Sequence, residues 1–153
     1  MDGTTHVMKL GKLVGNFHSL EFVVRLAIKV LSKDATPGVD VHKIRIGDAI
    51  PADAICDYDS LGRVIDRYNA LVKRADQLDR DALVTARDML AHGRVCSGDA
   101  TFPLRLVKFG REQNGQVLVE ALVDLDEAWF DRHLTLTMEA IKRAGAMAGA
   151  TLS

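Results

Sequence analysis

The residues best suited to chemistry are Arg87, Asp88 and His92, which lie close together in the sequence. A guanidinium binds a phosphate through two parallel hydrogen bonds and stabilises the negative charge that develops there. A histidine transfers protons near neutral pH. An arginine and a histidine in one short segment are therefore suited to the cleavage of an RNA phosphodiester.

The spacing of these residues sets how they can act together. Asp88 and His92 are four residues apart, so they share one face of a helix, where Asp88 would orient the imidazole and favour its protonated form. Arg87 and His92 are five apart, about 140° around an ideal helix and roughly 7.5 Å along it. They converge more easily when two copies of the helix meet across a two-fold axis. The spacing therefore predicts a homodimer.

Four segments have the hydrophobic periodicity that would position these residues. Apolar residues recur at spacings of three and four, which predicts α-helices. The first segment would be roughly 40 Å long, a length typical of a helix in a bundle. The predicted helices are residues 6–32, 60–77, 80–92 and 125–148.

Capping residues mark the predicted helix ends. Ser60, Asp79 and Asp124 are predicted N-caps of the second, third and fourth helices, and Asp124 has capping-box spacing to Glu127. Gly93 stands where a left-handed residue commonly ends a helix, directly after the segment that contains His92.

Residues 102–123 show alternating rather than helical periodicity, and two such runs flank Asn114-Gly115. Asn-Gly is a favoured pair in tight turns, so this region is predicted to form a β-hairpin between the third and fourth helices. A hairpin alone is marginally stable in water, so it is expected to pack on the helices.

The segment 33–59 breaks the helical pattern. Thr36-Pro37-Gly38 indicates a turn, and a short extended piece is predicted around residues 41–46. A loop of this length is often functional; the alternative, which we favour, is a packed excursion over one end of the helices. After the turn the loop contains five aspartates, Asp40, Asp48, Asp53, Asp57 and Asp59.

Composition limits the other possibilities. The 153 residues, 48% hydrophobic and 27% charged, suit a single globular domain over residues 1–153. Cys56 and Cys96 form no CxxC pair, so neither a zinc site nor any other metal or cofactor is expected. The absence of a signal-peptide pattern or a long apolar run predicts a cytoplasmic protein that does not enter a membrane.

Charge is unevenly distributed although the net charge is −1. Residues 61–111 contain ten Lys and Arg against six Asp and Glu, whereas residues 112–153 contain three against seven. The first of these segments includes Arg87 and His92, and a basic surface there would attract phosphates. The alternative is a set of solvated helix faces. His18 is also predicted to be a surface residue.

An arginine, then a polar residue, then a histidine late in a helix resembles the motif of HEPN domains, which are small helical bundles. The resemblance is carried by Arg87, Asp88 and His92. It implies a mainly α fold, a four-helix up-and-down bundle, here with the β-hairpin inserted between the third and fourth helices. It also implies a metal-independent RNase, of the kind found in toxin–antitoxin and defence systems. Attack by the ribose 2′-hydroxyl would cleave RNA, with Arg87 clamping the phosphate, His92 transferring protons and Asp88 orienting them.

Two alternatives to catalysis stay open. Many HEPN domains are inactive interaction modules, so this chain would bind an antitoxin, another protein partner or a nucleotide. A structural bundle without a site is the third possibility, because an Asp–His pair near a helix C-terminus also complements the helix dipole. The 33–59 loop and the hairpin lie outside the motif.

Overall fold

The computed structural model describes residues 1–34, 36, 43–96 and 102–149. Within these residues the elements are α1 (Gly3–Leu31), α2 (Leu61–Leu71), α3 (Arg80–His92), β1 (Arg94–Cys96), β2 (Arg105–Phe109), β3 (Val119–Asp124) and α4 (Glu127–Met147). The three strands form one antiparallel sheet in the order β1-β2-β3. The prediction of a mainly helical fold is confirmed, whereas the up-and-down order of a four-helix bundle stays a prediction.

The longest helix, α1, is the centre of the core. Leu13, Leu20 and Val24 on its inner face are fully buried, and the helix packs most extensively against α4 and then against α2. It begins three residues earlier than the apolar pattern predicts because Asp2 caps it. The Asp2 carboxylate accepts a hydrogen bond from the Thr5 amide at 2.8 Å.

The second helix is shorter than the predicted segment 60–77, since α2 ends at Leu71 and a 3₁₀ turn follows at Arg74–Asp76. The Asn69 side chain explains the end of the helix. Its Nδ2 donates to the Leu78 carbonyl at 3.0 Å, and its Oδ1 accepts from the Leu78 amide at 2.8 Å. These two bonds fold the chain back toward α3 without any Pro or Gly in the turn.

The predicted hairpin is present as β2 and β3, and its strands pair Leu106 with Val123. The turn holds Asn114 and Gly115 at φ values of 52° and 76°, as a tight Asn-Gly turn requires. The short strand β1 was not predicted from the sequence. It pairs with the other side of β2, so that the hairpin is joined directly to the end of α3.

Gly93 connects α3 to β1, and the prediction that it is left-handed is wrong. Its φ is −70°, and its amide donates to the Met89 carbonyl at 2.8 Å. Glycine is needed for a different reason, because a Cβ at this position would overlap that carbonyl and lie 2.7 Å from Cγ of Leu106. Leu106 is only 1% exposed, so close packing of β2 on the end of α3 requires the missing side chain.

The last helix begins two residues later than predicted. Asp126, rather than Asp124, is the N-cap of α4 and accepts a hydrogen bond from the Trp129 amide at 2.7 Å. Asp124 lies in β3, where its carboxylate accepts a hydrogen bond from Nε of Arg105 at 2.7 Å. Capping-box spacing alone did not distinguish a strand residue from a cap.

The described part of the 33–59 loop packs on α1 and α2 through an ionic cluster. Arg25, whose side chain is 6% exposed, donates to the carbonyl oxygens of Ala54 at 3.2 Å and Asp59 at 2.7 Å and to the Asp57 carboxylate. Arg67 of α2 donates to the other oxygen of Asp57 at 2.5 Å. Burial acts to raise the pKa of Asp57, but the hydrogen bonds from the two arginines outweigh it and lower that pKa.

These contacts support the packed-excursion alternative for residues 43–59. Lys29 of α1 also pairs with Asp53, and Ala54 is buried. The predicted extended piece is not a strand over residues 43–46, which form turns and irregular chain. Residues 35 and 37–42, and with them the Pro37-Gly38 turn, Asp40 and Val41, lie outside the described residues.

Candidate functional site

The C-terminal half of α3 positions all three motif residues at the surface. Asp79 caps the helix by accepting from the Ala82 amide at 3.1 Å, and buried Ala86 and Met89 hold the opposite side of the helix in the core. Arg87 and His92 are therefore exposed, and Asp88 is half-buried. All three are accessible to a ligand.

Asp88 is paired with Arg87 rather than with His92. Nη1 of Arg87 donates to Oδ1 of Asp88 at 3.1 Å, and both side chains are more than a third exposed. Within the described residues, no hydrogen bond or ion pair joins Asp88 to His92. An exposed pair of neighbouring residues is weak, so a phosphate can displace the carboxylate from the guanidinium.

Arg87 lies at a cavity of about 230 Å³ that we call the α1–α3 cavity. Two residues of α1, His18 and Glu21, bring further titratable groups to it. Most of the remaining lining is apolar. The complete lining consists of Val14, Phe17, His18, Glu21, Leu61, Arg87, Leu90 and Ala91.

His92 lies at a different cavity of about 320 Å³, between the end of α3 and the sheet. We call it the sheet-side cavity; its other lining residues are Arg94, Phe109, Gly110 and Val117. The guanidinium of Arg94 lies 5.6 Å from the ring centroid of Phe109. A single protomer thus directs Arg87 and His92 to two separate cavities, as their 140° separation on an ideal helix requires.

Two residues of the α1–α3 cavity were not identified as site residues from the sequence. His18 is exposed, as predicted, but it shares a cavity with Arg87. Glu21 accepts a hydrogen bond from Nη2 of Arg25 at 3.0 Å, which orients its carboxylate. The sequence feature that could have identified them is the spacing of Val14, His18 and Glu21, which places the three on one side of α1.

Two kinds of feature are absent from the part of the chain that the structure describes. Nowhere in it do three or more His, Cys, Asp or Glu side chains gather in a way that could hold a metal ion. None of its helices is long and apolar enough to cross a bilayer. Cys56 and Cys96 are both free thiols.

No protein-family model matches this chain, and neither a curated protein nor a solved structure is significantly similar to it. A functional assignment therefore depends on the side chains themselves. The groups available for it are the cation Arg87, the imidazoles of His18 and His92, and the carboxylates of Glu21 and Asp88.

Proposed function

We propose that the chain is a HEPN-like, metal-independent endoribonuclease that acts as a homodimer. The observation that carries the proposal is the placement of Arg87 and His92, both exposed near the C-terminal end of one helix. In this proposal the four helices form the up-and-down bundle of that family. The basic segment around α3 attracts the RNA backbone.

The reaction uses groups of the RNA itself. The ribose 2′-oxygen attacks the adjacent phosphorus, and the bond from phosphorus to the 5′-oxygen of the next nucleotide breaks. One histidine removes the 2′-proton, and a protonated histidine donates a proton to the departing 5′-oxygen. Arg87 neutralises the charge on the non-bridging oxygens. The products are a 2′,3′-cyclic phosphate and a free 5′-hydroxyl, with no change of oxidation state.

A dimer supplies the arrangement that one protomer lacks. At 100° per residue, Ala91 and Asp88 lie between Arg87 and His92 on the solvent-facing side of α3. Ala91 is exposed and small, so a second α3 can approach closely there. Two-fold packing on this strip brings two copies of Arg87 and of His92 to one cleft. The cleft then has one histidine for each proton transfer.

The second candidate is a non-catalytic interaction module that binds an antitoxin or another protein. The apolar outer surface of the hairpin favours it, because side chains exposed there include Leu118 at 74%, Val119 at 59% and Leu122 at 54%. A cluster of exposed apolar side chains often marks a protein contact. In this case Arg87 and Asp88 would form a surface ion pair without a chemical role.

Incubating the purified protein with a mixed RNA pool, with and without EDTA, distinguishes the two candidates. The ribonuclease produces fragments that end in a cyclic phosphate, in equal yield with and without chelator. Intact RNA at every protein concentration, from a folded dimer, would contradict the ribonuclease and leave the interaction module. The Arg87→Ala variant, purified in the same way, controls for contaminating nucleases, which would cleave RNA equally in both preparations.

A further inference from the structure

The α1–α3 cavity combines two cation-forming side chains with an apolar wall. Arg87 and His18 provide the polar part on one side, and Val14, Leu61 and Leu90 provide apolar surface. Its volume of about 230 Å³ is below the roughly 300 Å³ at which drug-sized pockets begin. The cavity therefore has room for one small planar ring with its attached groups, but not for a second ring.

Glu21 adds a hydrogen-bond acceptor to this cavity. One carboxylate oxygen accepts from Arg25 at 3.0 Å, and Arg25 is itself fixed by the loop, so the orientation of Glu21 is set before any ligand arrives. Its other oxygen has no hydrogen bond to any described residue. A carboxylate repels a phosphate, so this oxygen suits the part of a ligand that carries N–H donors.

We propose that the α1–α3 cavity binds one nucleotide of the RNA, with its phosphate at Arg87 and His18 and its base on the apolar wall. Glu21 accepts a hydrogen bond from an amino group of that base, and cytosine is the smallest base that carries one. Uracil presents a carbonyl oxygen at the same position, which the carboxylate repels. The inference rests on the proposed function, which supplies the ligand class, RNA. It adds to that function a preference for one base.

Cytidine and uridine monophosphate are the matched probes, because they differ along one edge of the base alone. Cytosine has an amino group and an unprotonated N3 there, and uracil has a carbonyl oxygen and an N3–H. Titration of each into the isotope-labelled full chain, followed by NMR, measures both affinity and location. We expect signals of residues lining the α1–α3 cavity to shift and CMP to bind about fivefold more tightly than UMP. Equal affinities, or shifts confined to the sheet-side cavity, would overturn the proposal.

Three variants separate the parts of the site. Arg87→Ala should weaken both nucleotides roughly tenfold, because a charge-assisted bond to the phosphate is lost. Glu21→Gln should remove the preference for CMP. Val14→Trp, on α1 and outside the proposed dimer strip of α3, should block both ligands by filling the cavity from its exposed rim. Arg74→Ala, an exposed arginine on the 3₁₀ turn, is the matched control and should bind like the wild type. Unchanged binding in both Arg87→Ala and Val14→Trp would place the nucleotide elsewhere.

This test is independent of cleavage, because a mononucleotide has no internucleotide bond to break. Binding of CMP at this cavity without any cleavage of RNA would retain the nucleotide site and reject the ribonuclease. Cleavage of RNA with neither CMP binding nor an effect of Val14→Trp would retain the ribonuclease and reject the site.

Discussion

Arg25 on α1 is bonded to the carboxylate of Asp57, 32 residues further along the chain, and is otherwise surrounded by protein. The same carboxylate accepts a second hydrogen bond, from Arg67 on α2 at 2.5 Å. Asp57 thus attaches the loop to α1 through Arg25 and to α2 through Arg67. Removal of Asp57 leaves the buried guanidinium of Arg25 with one carboxylate, that of the partly exposed Glu21, to balance its charge.

Asp57→Asn is therefore expected to lower the free energy of unfolding by about 3 kcal/mol, measured by urea denaturation at pH 7. Asp66→Asn is the matched control, because Asp66 also pairs with an arginine, Arg80, but at an exposed position. The control should cost less than ~1 kcal/mol. Equal losses in the two variants would show that the loop cluster adds no special stability.

Gly93→Ala should destabilise the fold because the new methyl group overlaps the Met89 carbonyl and the Leu106 side chain. Overpacking of a core typically costs about 1–3 kcal/mol, and a fall of this size in the free energy of unfolding is expected. Gly15→Ala is the control: nothing lies within 4 Å of its Cβ, and it should stabilise α1 by about 0.5–1 kcal/mol. A higher midpoint temperature of thermal unfolding for Gly93→Ala than for the wild type would contradict the packing described for Leu106.

Helix periodicity predicted the fold well where one face of an element is buried. The third helix was predicted at its observed bounds of Arg80 and His92, and the Asn-Gly pair located the hairpin turn. Local sequence patterns did not predict the structure where a contact with a residue distant in the sequence determines it. The end of α2 depends on Asn69 bonding to Leu78, and β1 exists because β2 pairs with it.

His6 provides a pH dependence of stability. Its side chain is buried against Phe130, with ring centroids 5.2 Å apart, and within the described residues Nδ1 has no hydrogen-bond partner. Burial lowers the pKa of His6 below its ordinary value of 6.5, so the fold prefers the neutral ring. The associated stability is present above pH 6.5 and is lost as the pH falls through the lower pKa of the folded state.

The free energy of unfolding should therefore fall between pH 7 and pH 5, with a slope of at most ~1.4 kcal/mol per pH unit from this residue. His133 contributes in the same direction, because burial also lowers its pKa. The His6→Phe variant keeps an aromatic ring and removes the titration, so its profile should be flatter than that of the wild type. Identical profiles would show that His6 does not titrate with unfolding.

The motif residues were found by residue type and spacing, whereas the cavity residues were not. Arg87, Asp88 and His92 are adjacent in sequence, so their positions on α3 followed from helix geometry. His18 joins Arg87 only because α1 and α3 line one cavity, which brings together two residues 69 positions apart in the sequence. The pairing of Asp88 with Arg87 instead of His92 depends on side-chain rotamers that spacing does not determine.

The proposed dimer should be disrupted by a charge on the strip between Arg87 and His92. Ala91→Glu places a carboxylate next to its symmetry mate, so this variant should sediment as a monomer at micromolar concentrations at which the wild type sediments as a dimer. Gln113→Glu, at the exposed hairpin tip, adds the same charge away from α3 and should remain dimeric. A wild-type monomer that does not associate at higher concentration would reject the dimer.

The most direct test of the proposed ribonuclease is cleavage of RNA by matched variants of the motif, with product ends identified by mass spectrometry. Wild type should give 2′,3′-cyclic phosphates; His92→Ala and Arg87→Ala should fold normally and give none, Arg87→Lys should recover part of the activity, and Asp88→Asn should slow cleavage less than either alanine variant. Gln113→Ala should cleave like the wild type. Cleavage that persists at the wild-type rate in folded His92→Ala would contradict the account.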